Sequence, residues 1–186
     1  MTHQTDLSFR HIIDVEEVRQ LLLDIHVEVR GGFGMMDRPF NAVERFGERL
    51  STYAARPGWK TVIAYHGDEP VGYTFATPLG PDTRWWEGTE PSLPDHCTKE
   101  TGSRTLALNE ILVRAPWRGT GSARRLHDEL LAGRREERVT LLVNPETADG
   151  RLQAVYESWG YRQIATQQPF PDSPVFAAML RPLHLV

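Results

Sequence analysis

Six residues near the middle of the chain, Arg118-Gly119-Thr120-Gly121-Ser122-Ala123, have the composition of a loop that binds a diphosphate. Glycine lets a backbone approach a ligand closely, because it has no side chain and adopts conformations that other residues avoid. Where a helix begins beside such a loop, its first N–H groups lack partners within the helix and point toward bound phosphates. Arg118 adds a fixed positive charge. The loop therefore predicts a site for a nucleotide-like cofactor, and the competing interpretation is a tight turn with a surface arginine.

The residues on either side of this loop predict the strand and the helix that it would join. Residues 106–113 are rich in aliphatic side chains, which is typical of a buried strand. Beyond the loop, apolar residues recur at the spacing of one helical face: Ala123, Leu126, Leu130 and Leu131. Strand, glycine-containing turn and helix therefore follow one another directly.

Two other phosphate-binding loops fit the sequence poorly. The dinucleotide motif Gly-x-Gly-x-x-Gly, counted from Gly119, would place its third glycine at Arg124, whose side chain is too large for close packing of helix on strand. The nucleoside-triphosphatase motif Gly-x-x-x-x-Gly-Lys-Ser/Thr occurs nowhere in the chain. Triphosphate hydrolysis and Rossmann-type dinucleotide binding are therefore disfavoured.

The loop resembles the acyl-coenzyme A pyrophosphate loop of the GNAT acetyltransferase superfamily, Arg/Gln-x-x-Gly-x-Gly/Ala, which joins the family's fourth strand to its third helix. Arg118, Gly121 and Ala123 match the three fixed positions. Downstream, residues 139–143 look like the family's fifth strand, and residues 154–161 look like its helix ending in Tyr-Glu-x-x-Gly-Phe/Tyr. Two motifs at compatible spacing are more specific than one.

The firm resemblance covers about residues 104–181 and contains one departure. Asp149 stands seven residues before Tyr156, where the family often has an asparagine. A side-chain contact made by that asparagine is therefore in question here.

The resemblance implies an α/β (α+β) fold with a mixed, mostly antiparallel central sheet, helices on both faces, and fourth and fifth strands that splay apart. The loop from Arg118 through Gly119, Thr120, Gly121 and Ser122 to Ala123 would hold the pyrophosphate of acetyl-coenzyme A. The splay would leave strand backbone free to bind the pantetheine arm at Ile111, Leu112 and Val113. A backbone N–H at Leu112 or Val113 would face the thioester carbonyl oxygen.

Two side chains are candidates for catalysis. Tyr156 matches the position that the family often uses as general acid toward the coenzyme A thiolate, and a phenol with a pKa of about 10 suits that role. The alternative is a core tyrosine that packs its helix on the sheet. Glu110 shares a strand face with Leu108 and Leu112 and matches a recurrent family glutamate. It is interpreted as a general base or as an anchor for a cationic acceptor, against the alternative of a solvated charge.

The expected activity is transfer of an acetyl group from acetyl-coenzyme A to a primary amine by direct attack. The acceptor, a small molecule or a peptide amine, cannot be identified from the sequence. Two alternatives stay open, an acyltransferase for longer acyl groups and a non-catalytic acyl-coenzyme A sensor. Dimerisation is not decided by the sequence.

The remaining segments predict the family's element order. A first strand over 7–13 precedes a helix with apolar residues from Val15 to Val29, for which Asp14 is a plausible N-cap. A second helix is expected over about 41–55, and a hairpin over 59–77. Residues 79–103 show no clear period and predict the longest irregular connection; two closing strands are expected over 161–166 and 175–180.

Composition limits the class of protein. A chain of 186 residues with 40% hydrophobic residues predicts one domain over residues 1–186. The chain has no apolar run of membrane-spanning length, and the first six residues lack a signal-peptide layout, so we expect a cytoplasmic protein without a membrane partner. One cysteine allows no internal disulfide and no cysteine-based zinc site, and no metal is expected.

The charge pattern points away from nucleic acid. The formal net charge is −4, whereas proteins that bind the phosphate backbone carry a basic footprint. Four arginines lie around the predicted loop, Arg114, Arg118, Arg124 and Arg125, and the phosphates of one small molecule would account for them. For Arg125 a solvated helix face is the favoured interpretation.

Overall fold

The structure is a computed structural model that describes residues 6–184. The signal-peptide expectation rests mainly on residues 1–5, which lie outside the described residues. The strands are β1 (Ser8–Ile12), β2 (Lys60–His66), β3 (Glu69–Pro78), β4 (Thr89–Glu90), β5 (Thr105–Val113), β6 (Arg138–Val143), β7 (Arg162–Gln167) and β8 (Phe176–Pro182). The helices are α1 (Arg19–Gly32), α2 (Val43–Ala54), α3 (Asp95–Thr98), α4 (Ser122–Leu131) and α5 (Arg151–Ser158). Within the described residues, no helix is long and apolar enough to cross a membrane.

Most predicted elements are present, with two local differences. Asp14 does act as a cap, since its carboxylate accepts a hydrogen bond from the Glu16 N–H, but it caps a 3₁₀ turn over Val15–Glu17, and α1 begins only at Arg19. The segment 79–103, predicted to be irregular, contains β4 and α3. Both elements are too short to leave a period in the sequence.

The chain divides into two compact units, each described by itself. The first comprises the chain up to Thr77 and Asn109–Gly133. Its strands follow the order β1-β2-β3-β5, and β1-β2 and β2-β3 pair antiparallel. The core of this unit is built from α1, α2 and the strands, with buried residues such as Leu22, Phe46 and Tyr73. Glycine turns the β2-β3 hairpin at Gly67, whose φ is +57°.

The second unit comprises Pro78–Leu108 and the chain from Arg134 onward. Its strands follow the order β5-β6-β8-β7-β4, and β5 contributes residues to both units. The β5-β6 pairing is parallel, whereas β6-β8, β7-β8 and β4-β7 are antiparallel. A small core forms around Leu79, Trp86 and Ala107.

The fold class is the predicted one, α/β with eight mostly antiparallel strands and five helices in the described chain. Because β4 has only two residues, the strands that the sequence predicts as fourth and fifth are β5 and β6. Their ladder consists of three residue pairs and ends at Ala107 and Thr140, although β5 continues to Val113. The hydrogen-bonded pairing of the two strands therefore ends before either strand does. Whether residues 1–186 act as one domain stays a prediction.

Candidate active site

The predicted diphosphate loop is an exposed turn that leads directly into α4. Gly119 and Gly121 have φ angles of +73° and +84°, in the left-handed region that favours glycine. A Cβ added at either position would meet no described atom within 4 Å, so space is open beside the loop. Gly121 is the N-cap of α4 and has no side chain that could cap this end of the helix. The N–H groups of Ser122 and Ala123 at the helix start therefore suit an anion.

Two hydroxyl groups hold the loop in shape. The Thr120 hydroxyl donates a hydrogen bond of 2.6 Å to the Trp117 carbonyl oxygen. Thr120 Oγ1 and Ser122 Oγ are 2.7 Å apart, and Ser122 is buried. Since the Thr120 proton is already used, Ser122 is the donor of this second bond. The loop is thus fixed by its own side chains.

Arg118 is oriented by two contacts at the end of β5 and α1. Its Nε donates to the Val113 carbonyl oxygen at 3.1 Å. Its guanidinium carbon lies 4.2 Å from the centroid of the Phe33 ring. Among the described residues, neither terminal nitrogen, Nη1 or Nη2, has a hydrogen-bond partner. Nη1 and Nη2 of Arg118 are therefore left to donate hydrogen bonds to a bound phosphate.

The other three arginines of the predicted basic group contact protein. Arg114 pairs with Glu28 at 2.7 Å, and Arg124 pairs with Asp128 one helical turn away at 2.8 Å. Arg125 donates to the Leu7 carbonyl oxygen and is only half-exposed, so the expectation of a solvated face was wrong. Arg118 is thus the member of the group with the clearest capacity for phosphate.

Glu110 lies on β5 and faces α1, where it forms an ion pair with Arg30. The Arg30 Nη2 and Glu110 Oε1 atoms are 3.0 Å apart, and the two side chains are 24% and 15% exposed. Among the described residues, Oε2 of Glu110 has no hydrogen-bond partner. The solvated-charge interpretation is therefore wrong, and the carboxylate keeps one oxygen for a substrate or a water.

The charge of this carboxylate acts on three titratable side chains, of which Tyr73 and His26 are buried and Tyr53 is half-buried. Burial raises the pKa of Tyr73 well above its ordinary value, and the Glu110 charge adds to that rise. Burial also raises the pKa of Tyr53, on α2. Burial lowers the pKa of His26. A 2.8 Å hydrogen bond from His26 Nε2 to the Asn41 carbonyl oxygen acts in the opposite direction and raises this pKa, but by less. His26 Nδ1 and the Tyr73 hydroxyl are buried without a partner in the described structure.

The sequence did not point to Arg30, His26 or Tyr73. They lie 80, 84 and 37 positions from Glu110, and each has the hydrophobic or helical spacing of an ordinary structural residue. Arg30 is predicted only as the end of the α1 pattern. No local signal marks a side chain whose partner comes from another element.

The strand backbone predicted to bind pantetheine lies just after Glu110. Leu112 and Val113 are buried and Ile111 is half-buried. Gly72 on β3 allows an unusually close approach here, because a Cβ at this position would lie 2.3 Å from the Leu112 carbonyl oxygen. The position of Leu112 and Val113 therefore depends on a glycine on the neighbouring strand.

Tyr156 lies in the second unit and is the buried residue of α5. Its ring makes edge contacts with Trp159 and Tyr161, at centroid distances of 5.3 and 5.8 Å. Val155, the neighbouring residue on α5, is 40% exposed. Tyr156 thus has the packing of a core tyrosine, and its role as general acid stays a prediction.

Asp149 has a φ of +55°, in the left-handed region. Asparagine and aspartate tolerate this conformation better than most residues. An asparagine and an aspartate can thus serve the same backbone purpose at this position, so the departure from the family pattern has a conformational explanation.

Among the described residues, no group of three or more His, Cys, Asp or Glu side chains is placed to hold a metal ion. An open groove of about 510 Å³ lies in the second unit, lined by residues such as Trp86, Glu87, Thr89, Glu90 and Leu93. It contains none of the residues that the sequence assigned to the cofactor or to catalysis.

Solved structures similar to this fold include several acetyltransferases. An acetyltransferase from Thermus thermophilus is 20% identical, with 97% of this chain and 99% of that chain covered and a TM-score of 0.65. An acetyltransferase of the GNAT family from Staphylococcus aureus is 14% identical, with 95% and 100% covered and a TM-score of 0.59. An aminoglycoside 6'-acetyltransferase type Ii is 16% identical, with 97% and 99% covered and a TM-score of 0.62.

No protein-family model matches the sequence, and comparison with curated proteins finds no match either. The structural likeness extends over nearly the whole chain. The chain has the fold of the GNAT acetyltransferases, as the two sequence motifs predict. Because a fold hosts more than one chemistry, the activity has to be inferred from the site.

Proposed function

We propose that this protein is an acyltransferase that moves an acetyl group from acetyl-coenzyme A to a primary amine. The observation that carries the proposal is the loop from Arg118 to Ala123. It combines two left-handed glycines, open space, an uncapped helix N-terminus in the described structure and an oriented arginine. That combination suits a diphosphate, and the fold is shared with acetyltransferases.

The coenzyme A part of the donor would bind along β5 and the loop. The first-turn N–H groups of α4 and the terminal nitrogens of Arg118 would bind the pyrophosphate. The pantetheine arm would hydrogen-bond to backbone at Ile111, Leu112 and Val113, in the manner of an added strand. One N–H at Leu112 or Val113 would stabilise the oxyanion of the tetrahedral intermediate.

The reaction is a direct displacement. The neutral amine nitrogen attacks the thioester carbonyl carbon, a C–N bond forms, the C–S bond breaks, and the amine loses one proton. The departing thiolate takes up a proton, for which Tyr156 is the proposed donor. The products are an amide and free coenzyme A. Tyr156 and Glu110 belong to different units, and each role is proposed on its own grounds.

Glu110 is proposed to receive the amine proton, directly or through water, or to bind the acceptor. The free Oε2 atom suits either role. The ion pair with Arg30 weakens the second role, because a carboxylate that already faces a guanidinium attracts an ammonium group less strongly. The proposed acceptor is the amine of a small molecule or of a peptide. The proposed location of the reaction is the cytoplasm.

Calorimetric titration with acetyl-coenzyme A is the first test. Wild type should bind, and the double variant Arg118→Ala/Gly121→Glu should not. Gly133→Glu is the matched control, because Gly133 lies at the other end of α4, with a φ of +73° and open space around it. It adds the same charge and a similar backbone strain away from the loop. A folded wild type that does not bind acetyl-coenzyme A would refute the proposal.

Chemistry is tested with a panel of amines and detection of the free thiol. Tyr156→Phe should lower turnover about 10-fold or more at an unchanged fold, in keeping with general acid catalysis. Wild-type turnover in Tyr156→Phe would remove this residue from the mechanism. For Glu110→Gln, loss of amine binding with an unchanged pH profile would favour the anchor over the base.

The two alternatives give different results in the same assays. A series of donors with increasing acyl length would reveal an enzyme for longer acyl groups, because the preferred donor would not be acetyl-coenzyme A. A sensor would bind the donor yet show equal thiol release in wild type and the Glu110/Tyr156 double variant. The presence of both side chains favours the enzyme.

A further inference from the structure

We propose that the C-terminal end of α1 is a positioning element for the site, in which Arg30 holds Glu110 and Phe33 holds Arg118. The inference rests on the proposed function, because it gives Arg30 and Phe33 the task of orienting the carboxylate and the phosphate ligand named there. Arg30 and Phe33 are three residues apart in the chain. One helix end thus contacts both chemistry-bearing side chains of the first unit.

The helix ends in a way that fixes these two residues. The Arg30 carbonyl oxygen accepts hydrogen bonds from the N–H groups of Phe33 and Met35, at 3.2 and 2.9 Å. Gly34, with a φ of +63°, then turns the chain away from the helix axis. Arg30 and Phe33 therefore project from a hydrogen-bonded helix end rather than from a free loop.

Arg30 acts on Glu110 through charge and geometry. Its contact with Oε1 holds the carboxylate in one orientation and leaves Oε2 for the substrate. The other charged or titratable groups around this carboxylate are His26 on α1, Arg49 and Tyr53 on α2, and Tyr73 on β3. Arg49 also contacts the Phe40 carbonyl oxygen and ring. Arg30 is the cation that contacts the Glu110 carboxylate itself.

Phe33 acts on Arg118 through its ring. The Phe33 side chain is 51% exposed. The Arg118 guanidinium carbon lies over the ring, 4.2 Å from its centroid, while Nε donates to the Val113 carbonyl oxygen. The ring and the carbonyl thus hold the guanidinium in place and leave Nη1 and Nη2 for a ligand.

The test uses two variant pairs and two readouts. Arg30→Gln should lower kcat, because the Glu110 carboxylate would lose the contact that holds it in one orientation. Arg30→Lys should restore part of kcat. The affinity of Arg30→Gln for acetyl-coenzyme A should stay at the wild-type value. Arg38→Gln, at an exposed position, is the control for loss of a charge.

Phe33→Leu should weaken acetyl-coenzyme A binding about two- to five-fold, the equivalent of a cation–π contact at an exposed site. Binding of S-acetylpantetheine, which has no diphosphate, should be unchanged. Phe33→Trp should restore the affinity. Val27→Ala, on the same helix and 40% exposed, is the control for loss of an exposed apolar side chain.

The inference is overturned if wild type binds acetyl-coenzyme A and Phe33→Leu binds it equally well, or if Arg30→Gln leaves kcat at the wild-type value. Double-mutant cycles of urea unfolding for Arg30/Glu110 and Phe33/Arg118 test the contacts without any ligand. Additive effects in both cycles would overturn the inference even if wild type failed to bind the donor. A failure of donor binding with clear coupling in both cycles would refute the proposed function and leave the two contacts in place.

Discussion

One arginine–glutamate pair in the first unit, Arg30–Glu110, and one in the second, Arg138–Glu100, differ in how the carboxylate is satisfied. In the second unit, Oε1 of Glu100 accepts from Arg138, Trp86 Nε1 and Thr105 Oγ1 at 2.8 to 3.0 Å, and the Glu100 side chain is fully buried. In the first unit, Glu110 has one donor, Arg30, and remains 15% exposed.

The difference separates a structural pair from a candidate for chemistry. The Arg138 guanidinium also donates to Thr105 and Cys97 and lies 5.5 Å from the Trp86 ring centroid, so this pair ties several segments together. No substrate can reach Glu100, whose Oε2 is buried without a partner in the described structure. Glu110 keeps a reachable oxygen. Whether a carboxylate has a structural or a chemical role therefore depends on the number and kind of its hydrogen-bond donors as well as on its burial.

The largest expected effect comes from breaking the buried pair of the second unit. Arg138→Met should lower the free energy of unfolding by about 3–5 kcal/mol, because Glu100 would be left as a buried charge without its cation. Urea denaturation followed by circular dichroism measures the change. Arg30→Met should cost clearly less, since water still reaches Glu110.

Arg84→Met is the matched control in the same unit. Arg84 pairs with Glu87, and both side chains are largely exposed, so a change of more than about 1 kcal/mol is not expected. If Arg30→Met destabilised the protein as much as Arg138→Met, the distinction between the two pairs would fail.

The next effect concerns the strand that carries Glu110. Gly72→Ala should destabilise by about 1–3 kcal/mol, because the new Cβ would lie 2.3 Å from the Leu112 carbonyl oxygen and push β3 from β5. Gly47→Ala is the control, in the interior of α2 with its nearest neighbour at 3.8 Å, and should stabilise by about 0.5–1 kcal/mol. Thermal unfolding of both variants measures the two changes in stability. A Gly72→Ala variant as stable as wild type would contradict the close approach of Gly72 to the Leu112 carbonyl oxygen.

Acid should weaken the first unit through His26. Burial lowers the pKa of His26 in the folded protein, so the neutral form is the native one. The unfolded chain takes up this proton near its ordinary pKa of about 6.5. The stability contributed by the neutral ring is therefore present above about pH 6.5 and is lost as the pH falls through the lower folded pKa.

The slope cannot exceed about 1.4 kcal/mol per pH unit, the limit for one proton. In wild type, the unfolding free energy should fall with this slope between about pH 7.5 and 5. The control variant His96→Gln, which changes an exposed histidine of the second unit, should show the same slope. The slope should be absent from His26→Gln. An equal slope in all three proteins would assign the pH dependence to other groups.

The smallest expected effect is on stability at Glu110 itself. Glu110→Gln should change the unfolding free energy by no more than about 1 kcal/mol, because the amide oxygen can still accept from Arg30 and the site is partly open to water. The same change at Glu100 removes a charge that accepts from three donors and should cost more. A larger loss at Glu110 than at Glu100 would reverse the comparison.

Local sequence patterns were enough for most elements and for the loop. Runs of aliphatic residues predicted strands such as β5, the helical period predicted α1 and α4, and the glycines predicted the turn before α4. These patterns arise within a few residues, because backbone geometry and burial of one face are local requirements. The two-residue β4 and the late start of α1 leave no such pattern.

The sequence by itself determined the order of the elements, the diphosphate-type loop and the identity of Glu110 and Tyr156 as candidates. Only the tertiary structure decided which side chains surround them. The Arg30–Glu110 pair spans 80 positions, and Phe33 meets Arg118 across 85. Such contacts depend on how helices pack against strands, and a chain carries no periodic signal for a partner contributed by a distant element. Residue type and spacing thus give the chemistry that is available, while packing decides which atoms are left free to perform it.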